Sequence, residues 1–424
     1  MRACSFLPQR LALTGLILIL IWSAGAAWVF EIWAMLAAEA AILAFTVLAT
    51  CVWLYRGVGP RGNKWLWTPL SLAGIWGLVQ LHTGTTVEGF VTGLAVIRIA
   101  SILGAVMLGL FAFPDHKSVC IFRGALIALG TILAALAIAQ LFTADGKIYW
   151  IVRSRHTLLP FGPFLSRDSY AAFMELLLPV ALWRATRPPW AWTFALCSAV
   201  MYVSVIASLS RAGSFLVSLE VLAVPVSVLL VRPTAVRRDT LRRVVVAAAL
   251  IVVLTSAFGW KQLLKRFDSG DLWQIRREYF RSSVTMLRSR PLMGFGLGTW
   301  PIVYPRFAVT DLTTASPHAH NDWMEWASDG GIPFVLFMLI PIVRLSKEAL
   351  RHPWGMGVIT VSLHALVDFP FQVYSIMLTF FLLAAALESS RTISEISSES
   401  SNDDSGQLVV ESVRGQEKTQ GWVL

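Results

Sequence analysis

Residues 90–113 have the sequence FVTGLAVIRIASILGAVMLGLFAF, in which Arg98 is the one charged residue. About 20 consecutive apolar residues are enough to cross the hydrocarbon core of a bilayer as an α-helix. In lipid, only helices and closed barrels satisfy every backbone hydrogen bond. The alternating pattern of barrel strands does not occur in this stretch. The segment therefore predicts a transmembrane helix.

Similar apolar runs recur along the chain and explain its composition. The 424 residues are 56% hydrophobic and 14% charged, whereas a soluble domain has about 25% charged residues. The 18 Trp residues belong to the type that is enriched at membrane interfaces. Transmembrane helices are predicted at residues 11–30, 32–54, 65–82, 90–113, 119–142, 169–186, 190–209, 212–231, 244–260, 331–347, 354–368 and 371–388.

The positions of Lys and Arg predict which loops face the cytoplasm. Loops assigned to that side are rich in basic residues, whereas the opposite loop at 83–89 has none. We therefore predict an all-α, polytopic bundle of about twelve spans in a bacterial inner membrane, with both termini cytoplasmic. Its parts are N-terminal helices at 1–260, a large, partly helical periplasmic loop at 261–330, C-terminal helices at 331–388 and a disordered cytoplasmic tail at 389–424.

Basic residues also occur on the outer side, where the charge rule does not expect them. They include Arg167, Arg211 and many residues of loop 261–330. A long loop escapes the charge bias, but the turn between Ser210 and Gly213 is short. A lone Arg at a helix end usually serves as a membrane anchor, yet the neighbouring basic segments favour a functional role. Arg side chains match phosphate oxygens, which predicts a phosphate-bearing substrate rather than nucleic acid.

Four ionisable residues lie within predicted spans: Glu39, Arg98, Glu175 and Glu220. Intramembrane charges are costly and usually face a partner or a cavity. Either a buried pair between Arg98 and a carboxylate holds the helices together, or these side chains line a cavity. Both alternatives stay open at this point.

The large loop contains an amphipathic pattern at residues 273–290, which predicts a helix that could lie on the membrane surface. This helix carries Arg276, Arg277 and Arg281. The glycines from Gly294 to Gly298 follow it. They have the spacing of a phosphate-binding loop but no surrounding βαβ unit, so we predict a packed turn.

His318-Ala-His320-Asn321-Asp322 follows in the same loop. The spacing of these side chains could suit a metal, but no Cys or clear further ligand accompanies them, and no metal is predicted. A His that accepts a proton from a hydroxyl near neutral pH is chemically more natural. A purely capping role remains possible for one of the two histidines.

Three motifs together resemble the O-antigen ligase and polymerase superfamily. They are Ser208-Leu-Ser210-Arg211-Ala-Gly213; Arg276 through Pro291-Leu-Met-Gly294-Phe-Gly296-Leu-Gly298; and His318-Ala-His320-Asn321-Asp322 followed by Gly331. Ser362-Leu-His364-Ala-Leu-Val-Asp368-Phe369-Pro370 is similar to the last helix pair of that family. The resemblance extends from about Phe161 to Leu387. Phe280 stands where relatives often have Trp, and Ser166-Arg167-Asp168-Ser169 replaces an Asn/His-containing stretch, which leaves the acceptor open.

The resemblance implies a metal-independent, cofactor-free inverting glycosyltransferase. Its donor is a polyprenyl-diphosphate-linked glycan, its acceptor is a glycolipid, glycan or protein, and membrane lipid surrounds it. Arg211 and Arg276 would neutralise the leaving diphosphate, and His320 would deprotonate the acceptor hydroxyl. Further substrate-binding residues are expected to be Arg167, Arg277, Arg281, His318, Asn321 and Asp322. Asp322 or Glu325 would orient the histidine.

Position favours His320 over His318 as the base. Nine residues separate Asn321 from Gly331, so a helix starting at Asn321 would return to the membrane at Gly331. His320 would then lie at the helix N-terminus, which disfavours imidazolium and keeps the ring neutral.

Several functions remain open. An O-antigen or exopolysaccharide polymerase and a protein O-oligosaccharyltransferase belong to the same superfamily. A transporter of polysaccharide or lipid-linked glycans would explain the buried charges. It would not explain a loop rich in His and Arg, and the repeats typical of transporters are not seen in the sequence.

Overall fold

The computed structural model describes residues 7–29, 32–57, 59, 64–153, 160–231, 271–309 and 316–395. The predicted span at 244–260 lies outside these residues. Helices dominate the described chain, and a two-stranded hairpin follows the fifth of them. The elements are α1 (Leu7–Gly25), α2 (Ile32–Arg56), α3 (Lys64–His82), α4 (Gly89–Ala112), α5 (His116–Thr143), β1 (Lys147–Ile148), β2 (Val152–Arg153), α6 (Arg167–Ala185), α7 (Ala191–Ser208), α8 (Arg211–Val231), α9 (Asp271–Ser289), α10 (Trp300–Val303), α11 (Asp322–Arg351), α12 (Gly357–His364) and α13 (Tyr374–Glu395).

Eight of the described helices are long and apolar enough to cross a membrane: α1, α2, α4, α5, α7, α8, α11 and α13. The predicted spans from 11–30 to 212–231 each coincide with one of the helices α1 to α8. The prediction of an all-α, polytopic membrane protein is confirmed.

Helix α6 lies at the centre of the bundle. Every residue from Ser169 to Leu182 is buried. Two neighbouring helices approach it through glycines. A Cβ at Gly213 of α8 would lie 2.3 Å from the Ala171 side chain, and a Cβ at Gly357 of α12 would lie 2.3 Å from the Glu175 carbonyl oxygen. Such small residues allow helix backbones to pack closely in a membrane.

The predicted span at 354–368 is much shorter in the structure than expected. Helix α12 has 8 residues, or about 12 Å at 1.5 Å per residue, whereas the hydrocarbon core is about 30 Å thick. Pro353 and Pro370 begin the 3₁₀ turns on either side of it, a position where the missing N–H of proline costs no hydrogen bond. The chain nevertheless returns to the start of α11, where the Asp322 amide donates to the Ala365 carbonyl at 2.9 Å.

Helix α11 runs through residue 331, where the sequence analysis placed the end of the large loop. Gly331, with φ +70°, is the non-helical residue at a kink where two helical stretches of α11 meet. A Cβ there would lie 2.1 Å from the Leu292 carbonyl oxygen. The glycine turn from Gly294 to Gly298 docks against the kink. Its amides at Gly296 and Gly298 donate to the backbone and side chain of Asp329 at 2.9 and 2.8 Å. The prediction of a packed turn is confirmed.

The C-terminal helix is longer than predicted. Helix α13 continues through Glu395, where its last turn carries ion pairs of Arg391 with Glu388 and Glu395, both 2.6 Å. The predicted disordered tail was therefore wrong for residues 389–395. Residues 396–424 lie outside the described chain.

The intramembrane charges have partners inside the protein. Arg98 Nε lies 3.4 Å from Glu39 Oε1, which confirms the pairing alternative for these two residues. Glu175 pairs with His364, and Glu220 accepts a hydrogen bond from the Thr360 hydroxyl.

Candidate active site

The candidate site lies at the end of the bundle where α6, α8 and α11 begin, called here the site end. Helix α9 packs against the start of α11. The prediction of an amphipathic helix at 273–290 is confirmed. Its buried side includes Tyr279 and Met286, which form a small second core with Trp300 and Tyr304. Its other side leaves basic residues accessible: Arg276 is half-buried, and Arg277 and Arg281 are exposed.

His320 and Asp368 form a hydrogen-bonded pair at this end. His320 Nδ1 lies 2.8 Å from Asp368 Oδ1, and the two side chains are 28% and 2% exposed. The backbone of His320 is left-handed, with φ +50°. A carboxylate on Nδ1 selects the tautomer with its proton there. Nε2 then carries the lone pair and can accept a proton.

Aromatic rings fix the orientation of the His320 ring. Tyr279 of α9 stacks parallel to it at a centroid distance of 6.1 Å and an angle of 7°. Phe369 contacts it edge to face at 4.9 Å. The imidazole is therefore held by its hydrogen bond and by two neighbouring rings.

His318 forms a second pair of the same kind. Its Nδ1 lies 2.8 Å from Glu325 Oε1, and Glu325 Oε2 accepts the amide of Ala319 at 2.8 Å. The same Phe369 ring lies 4.6 Å from the His318 ring. Glu325, one of the two expected orienting groups, thus orients His318, and Asp368 orients His320.

Asn321 and Asp322 connect the histidines to the turn at residues 365–373. Asn321 caps α11 by accepting the Met324 amide at 3.0 Å, and its Nδ2 donates to the Leu366 carbonyl at 2.9 Å. Asp322 is fully buried. Its two oxygens accept bonds from the Phe371 amide and the Gln372 side chain at 2.9 and 3.0 Å. Both residues therefore hold in place the turn that carries Asp368.

Arg211 begins α8 directly after Ser210, whose hydroxyl donates to Asp168 at 2.5 Å. Leu209, with φ +61°, turns the chain sharply just before this point. Asp168 belongs to the first turn of α6, which begins with the half-buried Arg167. The Arg211 turn is thus tied to the start of the central helix.

Electrostatics link these parts of the site. The positive charges of Arg276 and His364 act on both Asp168 and Asp368. Burial of Asp368 by itself would raise the pKa of its carboxyl group. The hydrogen bond and charge of His320, together with His364 and Arg276, outweigh that effect and hold the Asp368 pKa below its usual value. The structure thus brings Arg276, His320 and the Ser210–Arg211 turn to the same end of the bundle.

Asp368, Asp168 and Tyr279 were not among the site residues predicted from the sequence. Asp368 lies in a motif that the analysis quoted, but its distance of 48 residues from His320 gives no sign of the pairing. Across the described ranges, no three His, Cys, Asp or Glu side chains are grouped so that they could hold a metal ion.

A family model described as O-antigen ligase matches residues 195–339. The matched segment contains Arg211, Arg276 and His320, and it bears out the superfamily that the motifs indicate. No curated protein matches the chain.

Proposed function

We propose that this chain, a member of the O-antigen ligase/polymerase superfamily, transfers a glycan from a polyprenyl-diphosphate carrier to an acceptor hydroxyl. The transfer is a single inverting displacement that needs no metal. The observation that carries this proposal is the His320–Asp368 pair, held at one end of a membrane bundle beside Arg276.

His320 acts as the general base. Its Nε2 takes the proton of the acceptor hydroxyl while the oxygen attacks the anomeric carbon of the donor. The bond from that carbon to the phosphate oxygen breaks, and the diphosphate leaves with the electron pair. Asp368 stabilises the imidazolium that forms, as the carboxylate does in a Ser-His-Asp triad. A displacement in one step inverts the anomeric centre and requires no carboxylate nucleophile.

Arg276 and Arg211 neutralise charge on the leaving diphosphate. Two charged oxygens on neighbouring phosphates suit the planar fork of a guanidinium. A carrier whose lipid tail lies in the bilayer presents its diphosphate at the membrane surface, near helix ends. The exposed Arg277 and Arg281 of α9, with Arg167, attract and guide the donor.

His318 binds the acceptor beside the base, since Phe369 contacts both imidazole rings. Asn321 and Asp322 were expected to bind substrate. Their hydrogen bonds to residues 366, 371 and 372 instead favour a positioning role for both.

The site end faces the periplasm of a bacterial inner membrane in this proposal, since the Lys and Arg distribution assigns the opposite loops to the cytoplasm. The transporter alternative depended on the charged residues inside the membrane spans, and these residues have another explanation. Glu39, Glu175 and Glu220 each have a partner within the bundle and need no transported ion to explain them.

Mass spectrometry of envelope glycans in a deletion strain tests the function and identifies the acceptor. Lipid A core without polymer, with polymer retained on its carrier, indicates a ligase. Short chains on lipid A indicate a polymerase, and unmodified proteins indicate an oligosaccharyltransferase. Restoration by the wild-type gene but not by His320→Ala assigns the change to this site. An unchanged glycan profile in the deletion strain would refute the proposal.

A further inference from the structure

A second histidine–carboxylate pair lies directly behind the first. His364 Nδ1, at the end of α12, lies 2.7 Å from Glu175 Oε1 in the middle of α6, and both side chains are completely buried. Burial of an ion pair removes two charges from water. An apolar pair of similar volume is often as stable or more stable. Packing alone therefore does not explain these two residues.

This buried pair is connected to the site through Asp368. The Asp368 amide donates to the His364 carbonyl at 3.0 Å, in the turn that ends α12. His364 Nε2 and Asp368 Oδ2 are buried, and neither has a hydrogen-bond partner within the described residues. The positive charge of His364 acts on Asp368 and also on Asp168. In a low-dielectric interior, such an attraction is much stronger than in water.

The groups that act on Asp368 are the basic side chains His320, His364 and Arg276 and the carboxyl groups of Asp168, Glu175 and Asp322. Arg276 is half-buried on α9 and faces the proposed donor site, so a bound diphosphate draws on its charge. Asp168, Glu175 and Asp322 oppose the effect of these cations, but of the three only Glu175 is held in a direct ion pair with His364. His364 is completely buried and has no access to the donor. It is therefore the cation that remains beside Asp368 when substrate is bound.

We infer that the His364–Glu175 pair is a positioning device for the transfer reaction. His364 keeps Asp368 ionised, and Asp368 in turn holds His320 with Nε2 available to the acceptor hydroxyl. Glu175 holds the ring of His364 and balances its charge. This inference rests on the proposed function, and neither His364 nor Glu175 touches the substrate.

The double variant Glu175→Gln/His364→Gln tests the inference, because it removes both charges together and leaves no unpaired charge. Without the His364 cation, the pKa of Asp368 rises, because that charge is one of those that hold it down. The acidic limb of the rate–pH profile for transfer should move upward by about one pH unit, or about 1.4 kcal/mol. At alkaline pH the rate should return to within about tenfold of wild type, a difference of about 1.4 kcal/mol.

The matched control is Glu39→Gln/Arg98→Gln, which removes another ion pair inside the bundle, between α2 and α4. This control should lower the amount of protein in the membrane without moving the acidic limb. An acidic limb that stays in place in the Glu175/His364 variant, or a loss that is equal at every pH, would overturn the inference.

A second variant decides the matter if the double variant fails to accumulate. His364→Lys keeps a cation beside Glu175, so its acidic limb should stay at the wild-type position. An upward shift in this variant would contradict the inference. Absence of transfer by the wild-type protein would instead refute the proposed function, so the two failures are distinguishable.

Discussion

Replacement of Asp368 by Asn tests the proposed role of this carboxylate in activating His320 as the base. The carboxylate of Asp368 is 2% exposed and lies 2.8 Å from His320 Nδ1. A hydrogen bond to a charged group contributes about 1.5–3 kcal/mol. At about 1.4 kcal/mol per tenfold change in rate, its loss lowers transfer by about 10- to 150-fold. The amide of the new side chain can also donate a hydrogen bond to His320 Nδ1, which favours the tautomer with its proton on Nε2. The corresponding substitution in a serine protease lowers the rate by about 10⁴. We expect a loss of about 10²–10⁴.

The assay is glycan transfer by purified protein in nanodiscs, with lipid-linked donor in excess and mass spectrometry of the product. Glu325→Gln is the matched control, because it breaks the equivalent 2.8 Å contact to His318 and leaves the His320–Asp368 pair intact. The rate of this control should fall less than the rate of Asp368→Asn. If Asp368→Asn keeps transfer within about threefold of wild type while Glu325→Gln loses it, His318 is the base and the assignment is wrong.

Three further predictions concern the donor site, the topology and the kink. Arg211→Lys and Arg276→Lys should each reduce the rate of transfer by about 10²–10³, because the point charge of Lys cannot replace two hydrogen bonds to the charge that develops on the diphosphate. Near-normal rates would count against diphosphate binding by these residues. If the site faces the periplasm, alkaline phosphatase fused after Ser316 should be active and green fluorescent protein fused there should be dark. The reverse pattern would place the site in the cytoplasm. Gly331→Ala should destabilise the protein by about 1–3 kcal/mol from backbone strain alone, with more from the clash at Leu292. A melting temperature in detergent equal to wild type would contradict the role of the kink.

Local sequence patterns predicted most of the helices, because the need to satisfy the backbone in lipid leaves few alternatives. The amphipathic helix with Arg276 and the capping role of Asn321 likewise depend on residues close together in the chain. The shortness of helix Gly357–His364 was not predicted, because an apolar run of the right length gives no sign that its last residues form a turn against the start of α11. Gly331 was expected where a helix from Asn321 meets the next span, and its non-helical backbone forms a kink between two helical stretches of α11 at that position.

The pairings at the site could not be predicted, since they join residues far apart in the sequence. Asp368 reaches His320 only because the turn after α12 packs on the start of α11. Asp322 has the chemistry of a ligand but is buried against that turn. A sequence shows which side chains can accept protons or bind anions. The tertiary fold decides which of them face each other.

In the proposed mechanism, His320 accepts the proton of the acceptor hydroxyl without help from a metal. Transfer by His320→Ala and by His318→Ala, each measured with and without EDTA, separates this role from that of a metal site. We expect His320→Ala to abolish transfer at a normal protein level in the membrane and His318→Ala to weaken transfer less. EDTA should change the rate of neither the wild type nor His318→Ala. Transfer retained by His320→Ala, or inhibition by EDTA that zinc reverses, would contradict the proposed mechanism.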